Sequence, residues 1–285
     1  MEYFLILLTV AGILWLLWWF FFRKKEVVIT PLQPSLFELL EKHVPYYQSL
    51  PEDRQKNFAD RVSRFLDYVK IEGVDVEVDE LDKVLVASSA IIPIFSFDGW
   101  EYPNLTTVLL YPNRFNESYQ TEGKDRSILG QVGEGGALQS TMALSRPALH
   151  AGFSVETSKE NTGIHEFVHL LDKVDGSIDG APEYMVPKEY MQPWLRQIHQ
   201  NMQQIKNKKS DINPYGITNE AEFFAVVSEY FFKRPDLLQS KHPDLFAYLE
   251  VIFQQNPLEP DKVLKEEPDM PDVDLAEEEE PEKAD

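Results

Sequence analysis

No cysteine occurs anywhere in the 285 residues. Disulfides and thiolate metal ligands are therefore excluded, and any metal held by this chain must sit on histidine and carboxylate. Positive charge is scarce as well, with 27 lysines and arginines against 48 acidic residues and a formal net charge of -21. Phosphate recognition needs a concentrated basic surface, and no basic stripe is visible, so nucleic acid is excluded as a partner. The glycine-rich run GQVGEGGALQ, residues 130–139, is followed by no GKS or GKT, which removes a phosphate-binding loop and leaves the run reading as a loop. There is no internal repeat. The 43% hydrophobic content is enough for one substantial core with appendages.

Charge is absent in one place for a different reason. Residues 3–22, YFLILLTVAGILWLLWWFFF, are twenty in a row without a charged side chain. At about 1.5 Å per residue such a helix spans the roughly 30 Å hydrocarbon core of a bilayer. Trp15, Trp18 and Trp19 gather near its end, and Arg23, Lys24 and Lys25 follow. A secretory signal would want a basic start and a small-residue cleavage site, and the chain begins Met1-Glu2 with no such site after the apolar run. The expectation is a single-pass anchor in the inner membrane, with the following domain on the cytoplasmic side by the positive-inside rule. At the other end, residues 258–285 hold 13 acidic residues and 3 lysines and so carry about half of the net charge. Proline and acid with few apolar residues predict disorder there. The plan is an anchor and basic flank at 1–25, a linker at 26–34, a folded domain at 35–256 and an acidic tail at 257–285.

Within the domain, helical spacing of Phe58, Val62, Phe65, Leu66 and Val69 predicts an amphipathic helix, with Ser49 as its cap and Pro51 near its first turn. Ser35 reads as the cap of an earlier helix. Residues 81–95 are apolar nearly all round, which predicts a buried helix ended by Pro93. LTTVLLYP (105–112) and LQSTMALS (138–145) read as strands. Helices are then predicted at the GIHEFVHLLD stretch and over 187–205, 219–232 and 242–253.

GIHEFVHLLD, residues 163–172, carries the chemistry. On a helix His165 and His169 are 400° apart, so both imidazoles lie on one face and can reach one ion. Glu166 stands at the edge of that face, where its carboxylate can take a proton from a water polarised by the metal without ligating the metal itself. This is the HExxH arrangement. It arises by chance in about one chain of this length in a hundred, so a second block has to support it. Ile164, Val168 and Leu171 give the helix an apolar stripe, with Thr157 or Ser158 as cap. Position 175, where a third histidine would complete one familiar extension, is Asp175. The third ligand must therefore come from elsewhere, and YGITNEAEFFAVVSEYFF (215–232) offers Glu220, Glu222 and Glu229. Glu222 and Glu229 share a face. Glu222 also stands where a capping box with Asn219 would use it. Asp172, on the His165 face, is a candidate to orient a ligand histidine, with helix solvation as the plain alternative. His43, His150, His199 and His242 have no partner at ligand spacing.

The stretch IHEFVHLLDKVDGSIDGAP together with SEYFFKRPDLL resembles the family of Mlc titration factor A, the glucose-regulated zinc peptidases. YGITNEAEFFA is also similar to a run in the catalytic domain of anthrax lethal factor. The resemblance covers residues 34–255 and implies a zincin-like α+β domain, mostly helical with a small sheet. It further implies Zn2+ held by His165, His169 and Glu222, Glu166 as general base, and Tyr215 as the donor that stabilises the oxyanion. Residues 138–145 match the edge strand on which an extended peptide would lie. The implied activity is peptide-bond hydrolysis on a peptide or protein substrate, with aminopeptidase action as the family's mode. The implied partner is a transcriptional regulator, and a protein that sequesters such a regulator at the membrane is the alternative to an enzyme. The anchor, with its lipid bilayer contact, and the acidic tail depart from the soluble family pattern.

Overall fold

The computed structural model describes residues 33–115, 130–132 and 140–261, together with positions 4, 12 and 15. The chain divides into two units, Met1–Thr30 and Pro31–Asp285. In the first, the three described positions are helical. The rest of the expected anchor lies outside the described residues, as does the tail beyond residue 261. Among the described residues no helix is long and apolar enough to cross a membrane.

The second unit opens with α1 (Pro34–His43), α2 (Pro45–Ser49) and α3 (Glu52–Tyr68). The predicted stripe on α3 is buried at Phe58, Val62 and Phe65. Its cap is Pro51, not Ser49, whose hydroxyl donates to the Tyr46 carbonyl instead. Ser35 does not cap either, because α1 starts at Pro34 and the Ser35 hydroxyl donates to Glu80 at 2.8 Å. Strand β1 (Lys70–Gly73), unpredicted, follows directly.

Helix α4 (Glu80–Ile94) is buried on every side, as its composition requires, from Val84 through Ile94. Asp79 and Asp82 close a capping box at its start. Pro93 lies inside the helix and does not end it before that point. One residue from the end its missing N–H removes a single bond, and Gln255 Nε2 takes the neighbouring Ile92 carbonyl at 2.9 Å. Strands β2 (Thr107–Tyr111), β3 (Gly130–Val132) and β4 (Thr141–Ser145) follow, then helices α5 (Arg146–Ser154), α6 (Thr162–Asp172), α7 (Lys188–Lys206), α8 (Glu220–Lys233), α9 (Pro235–Lys241) and α10 (Pro243–Phe253). The architecture is mostly helical α+β, as expected.

The sheet runs β1-β2-β4-β3, with β1, β2 and β4 parallel and β3 antiparallel to β4. This corrects the expected edge. Strand β4 lies inside the sheet, between β2 and β3, and the outer strand is the Gly130–Val132 piece of the glycine-rich run. Three residues with a glycine among them give no alternation to read. The strand exists because β4 supplies its ladder, with Gly130 opposite Leu144 and Val132 opposite Met142.

Candidate metal centre

Helix α6 starts at Asn161, whose side chain accepts from Ile164 N–H at 3.1 Å. Neither Thr157 nor Ser158 caps it. From that start Ile164, Phe167, Val168 and Leu171 are buried in the core, and His165 and Glu166 are buried on the flank that faces α8 and β3. Helix α8 starts at Asn219, which accepts from Glu222 N–H at 2.8 Å. Only the backbone half of the suspected capping box uses Glu222. Its carboxylate turns to the histidines.

The three predicted ligands come together. Glu222 Oε2 lies 3.0 Å from His165 Nε2 and 3.5 Å from His169 Nε2, and the two ring nitrogens are 3.1 Å apart. A tetrahedral zinc with ligands at about 2.0–2.1 Å needs edges of roughly 3.3–3.4 Å. The triangle fits that ion, and the donor set of two imidazoles and a carboxylate suits it. Among the described residues this is the one group of histidines and acids with converging ligand atoms.

The acid that orients His165 is Glu229, seven residues after Glu222 on the same face of α8. Its Oε1 is 2.7 Å from His165 Nδ1, and its Oε2 accepts from the N–H of Asn161, the cap of α6. A carboxylate on Nδ1 fixes the tautomer that leaves Nε2 free for the metal. Asp172, the other candidate for this role, is buried and accepts from Gly180 N–H at 2.8 Å. Gly180, at φ +76, hands its carbonyl to Trp194 Nε1, and a Cβ there would strike the Glu220 carbonyl. The loop after α6 is thereby laid against the start of α8. Of the other candidates, Glu220 faces His199 at the surface, and His150 and His242 are paired with Asp82 and Asp211.

Burial pushes the His165 ring towards the neutral form, but the Glu229 and Glu222 carboxylates outweigh it and hold its pKa well above the usual imidazole value. For Glu222 burial raises the pKa, and the two histidines more than reverse this. Glu166 is 5% exposed, and desolvation raises its pKa against the pull of both histidines. Beside it runs β3, so closely that a Cβ on Gly130 would lie 2.5 Å from Glu166 Cγ and Oε1. Any side chain there would displace the Glu166 carboxylate. Tyr215 stands in a 3-10 turn, Pro214–Ile217, with its ring 6.0 Å from that of His165. Burial, then the Glu222 and Glu166 carboxylates, push its pKa up to about 12, so the phenol keeps its proton. A cavity of about 640 Å³, lined by Arg114, Ser145, Pro147, Glu160 and Thr162 among others, begins one helical turn before His165 and Glu166.

A model of the family described as glucose-regulated metallo-peptidase M90 matches residues 18–254. An uncharacterized protein of Synechocystis sp. is 30% identical over 243 residues, 80% of this chain and 86% of that protein. Mlc titration factor A of Pectobacterium atrosepticum is 25% identical over 231 residues, 75% of this chain and 84% of that protein. Mlc titration factor A of an Enterobacter species is 26% identical over 230 residues, with 76% and 84% covered.

Proposed function

This chain belongs to the glucose-regulated metallopeptidase family M90, and from that premise we propose that it is a membrane-anchored, zinc-dependent peptidase with a zincin-like fold. The observation that carries the proposal is the triangle of His165 Nε2, His169 Nε2 and Glu222 Oε2, with edges of 3.0–3.5 Å, beside a buried Glu166. His165, His169 and Glu222 would hold the ion, which when bound supplies Lewis acidity towards water and a peptide carbonyl. Glu229 holds His165 in the productive tautomer. Glu166 accepts the proton of the attacking water and returns it to the leaving amine, a task for which its raised pKa suits it. Tyr215, protonated up to about pH 12, donates a hydrogen bond to the oxyanion. The edge strand β3 offers main-chain groups to an extended peptide running past Glu166, and the cavity beyond Thr162 has room for a side chain.

The test is metal content and peptide hydrolysis by the full chain in detergent, for the wild type and for Glu166→Gln. We expect about one zinc per chain in both and a loss of at least about 100-fold in kcat for the variant. Bound zinc with no loss on substitution would sink the enzyme reading. Peptides with free and blocked N-termini, compared side by side, decide whether the action is that of an aminopeptidase.

A second reading draws on the name of the relatives, Mlc titration factor A: this chain binds a transcriptional regulator and holds it at the membrane. A structural metal site has no use for a base, so Glu166→Gln would leave that binding intact while abolishing hydrolysis. The two functions therefore separate in one variant.

A further inference from the structure

Tyr215 is 53% exposed, so packing does little to hold its ring near His165. Its hydroxyl is within reach of the Glu222 carboxylate, and the rest of its position comes from the backbone that carries it. Its turn is closed by its own hydrogen bonds: Asn213 Oδ1 accepts from Tyr215 N–H at 3.0 Å, the Asn213 carbonyl from Gly216 N–H at 3.0 Å, and the Tyr215 carbonyl from the Thr218 hydroxyl at 2.7 Å. Such bonds fix the shape of a turn but not its place.

Its place is set partly by packing, with Gly216 buried beside Phe223 and Val226 of α8, and partly by the segment just before it. Asn213 Nδ2 donates to Glu160 Oε1 at 2.7 Å. Two residues upstream, Lys159 Nζ donates to both the Asp211 carboxylate and the Asp211 carbonyl at 2.6 Å. The same carboxylate accepts from Lys241 Nζ at 2.8 Å and Tyr230 OH at 3.0 Å, and meets His242 Nε2 at 2.7 Å. Lys159 and Glu160 are the residues immediately before Asn161, the cap of α6, whose N–H is bound by Glu229. Tyr230 is the residue after Glu229 on α8. The strand of chain that enters the metal helix and the strand that enters the Tyr215 turn are thus stitched side to side, and the stitch is pinned to the helix that carries Glu222.

We propose that the Glu160–Asn213 bond, backed by the Lys159–Asp211 pair, is a clasp that holds Tyr215 at the metal site, which makes these four positioning residues. The proposal rests on the reading of Tyr215 as the oxyanion donor. A single exposed pair would add little, but a carboxylate with four partners and an amide–carboxylate stitch act as one network. A displacement of about 1 Å in a donor is enough to cost one to two orders of magnitude in rate.

Glu160→Ala removes the stitch and leaves the turn's own bonds intact; Glu160→Gln keeps an acceptor. In the full chain, hydrogen exchange at Gly216 and Thr218 should quicken at least about tenfold in Glu160→Ala, while the buried amides of α6 keep their protection. On a small peptide kcat should fall about tenfold with zinc content unchanged, and Glu160→Gln should restore it. In a Tyr215→Phe background the Glu160→Ala change should have no further effect on kcat, because its path through the phenol is gone. Unaltered exchange at the turn, or a kcat loss that simply multiplies with that of Tyr215→Phe, overturns the clasp. Absence of hydrolysis by the wild type instead overturns the peptidase reading, and the exchange measurement still decides whether the clasp holds the turn.

Discussion

His165 offers one ring nitrogen to each of two acids on the same helix. Glu222 and Glu229 are seven residues apart and share a face of α8, so spacing alone could not say which would meet the metal and which would support the ligand. The histidine decides it: Nε2 meets Glu222 and His169, while Nδ1 meets Glu229. Residue type, spacing and the backbone cap at Asn219 were all legible; the second role of Glu229 was not, because it depends on how deeply α8 lies against α6. Its removal should be felt at the metal. For Glu229→Ala we expect zinc affinity to fall about 10- to 100-fold, as for other lost outer partners of ligand histidines, and stability to fall by about 1–3 kcal/mol because Asn161 N–H is left buried without its acceptor. Glu229→Gln should lie between the two. Competition for zinc with a chromophoric chelator measures the first effect, and an affinity equal to the wild type's would show that Glu229 does not tune the ligand.

At the scale of elements, long periodic helices were readable and short paired strands were not. The stripe of α3, the all-round apolarity of α4 and the Asn219 cap of α8 follow from side-chain chemistry within each segment, whereas α6 is capped by Asn161 and not by the expected Thr157 or Ser158. Strands β1 and β3 are four and three residues long and owe their conformation to β2 and β4, so nothing local announces them. Helix α5 was missed for a related reason. Arg146 and Pro147 directly follow β4 and form the first turn of the helix, where proline's missing N–H does no harm. That first turn is tied to α4. Asp82, fully buried, accepts from Arg146 Nε at 2.8 Å and meets His150 Nε2 at 2.6 Å. Burial pushes the Asp82 pKa up, but the bonds from Arg146 and His150 outweigh it and hold the value below the usual carboxylate range. A depressed folded-state pKa contributes stability that is complete above the unfolded value of about 3.9 and is lost as pH falls through the folded value. Asp82→Asn should therefore lower the melting temperature at pH 7 and flatten its decline below about pH 4. Thermal melts from pH 7 to pH 3 check this, and an unchanged slope in the acid range would remove Asp82 from the account.

Taken whole, the molecule is acidic even without its tail: residues 1–257 carry about half of the net charge of -21. The cytoplasmic face of a membrane is itself negative, so no electrostatic attraction would draw this domain to it. If the protein works there, as we propose, the twenty uncharged residues at 3–22 must supply the attachment by burying apolar surface, aided by Arg23, Lys24 and Lys25 at the lipid headgroups. Because the residues from Pro31 onward form their own unit, that attachment and the metal centre should be separable. The full chain should sediment with membranes and stay there through high salt and alkaline carbonate, which strip proteins held by charge alone. A chain lacking residues 1–25 should be soluble, bind zinc equally well, and hydrolyse a small peptide with kcat/KM within about twofold of the full chain. A reporter fused after residue 285 should be active in the cytoplasm. Recovery of the full chain in the soluble fraction would end the anchoring proposal, and a small-peptide rate that collapses on truncation would mean that the apolar segment belongs to the folded domain.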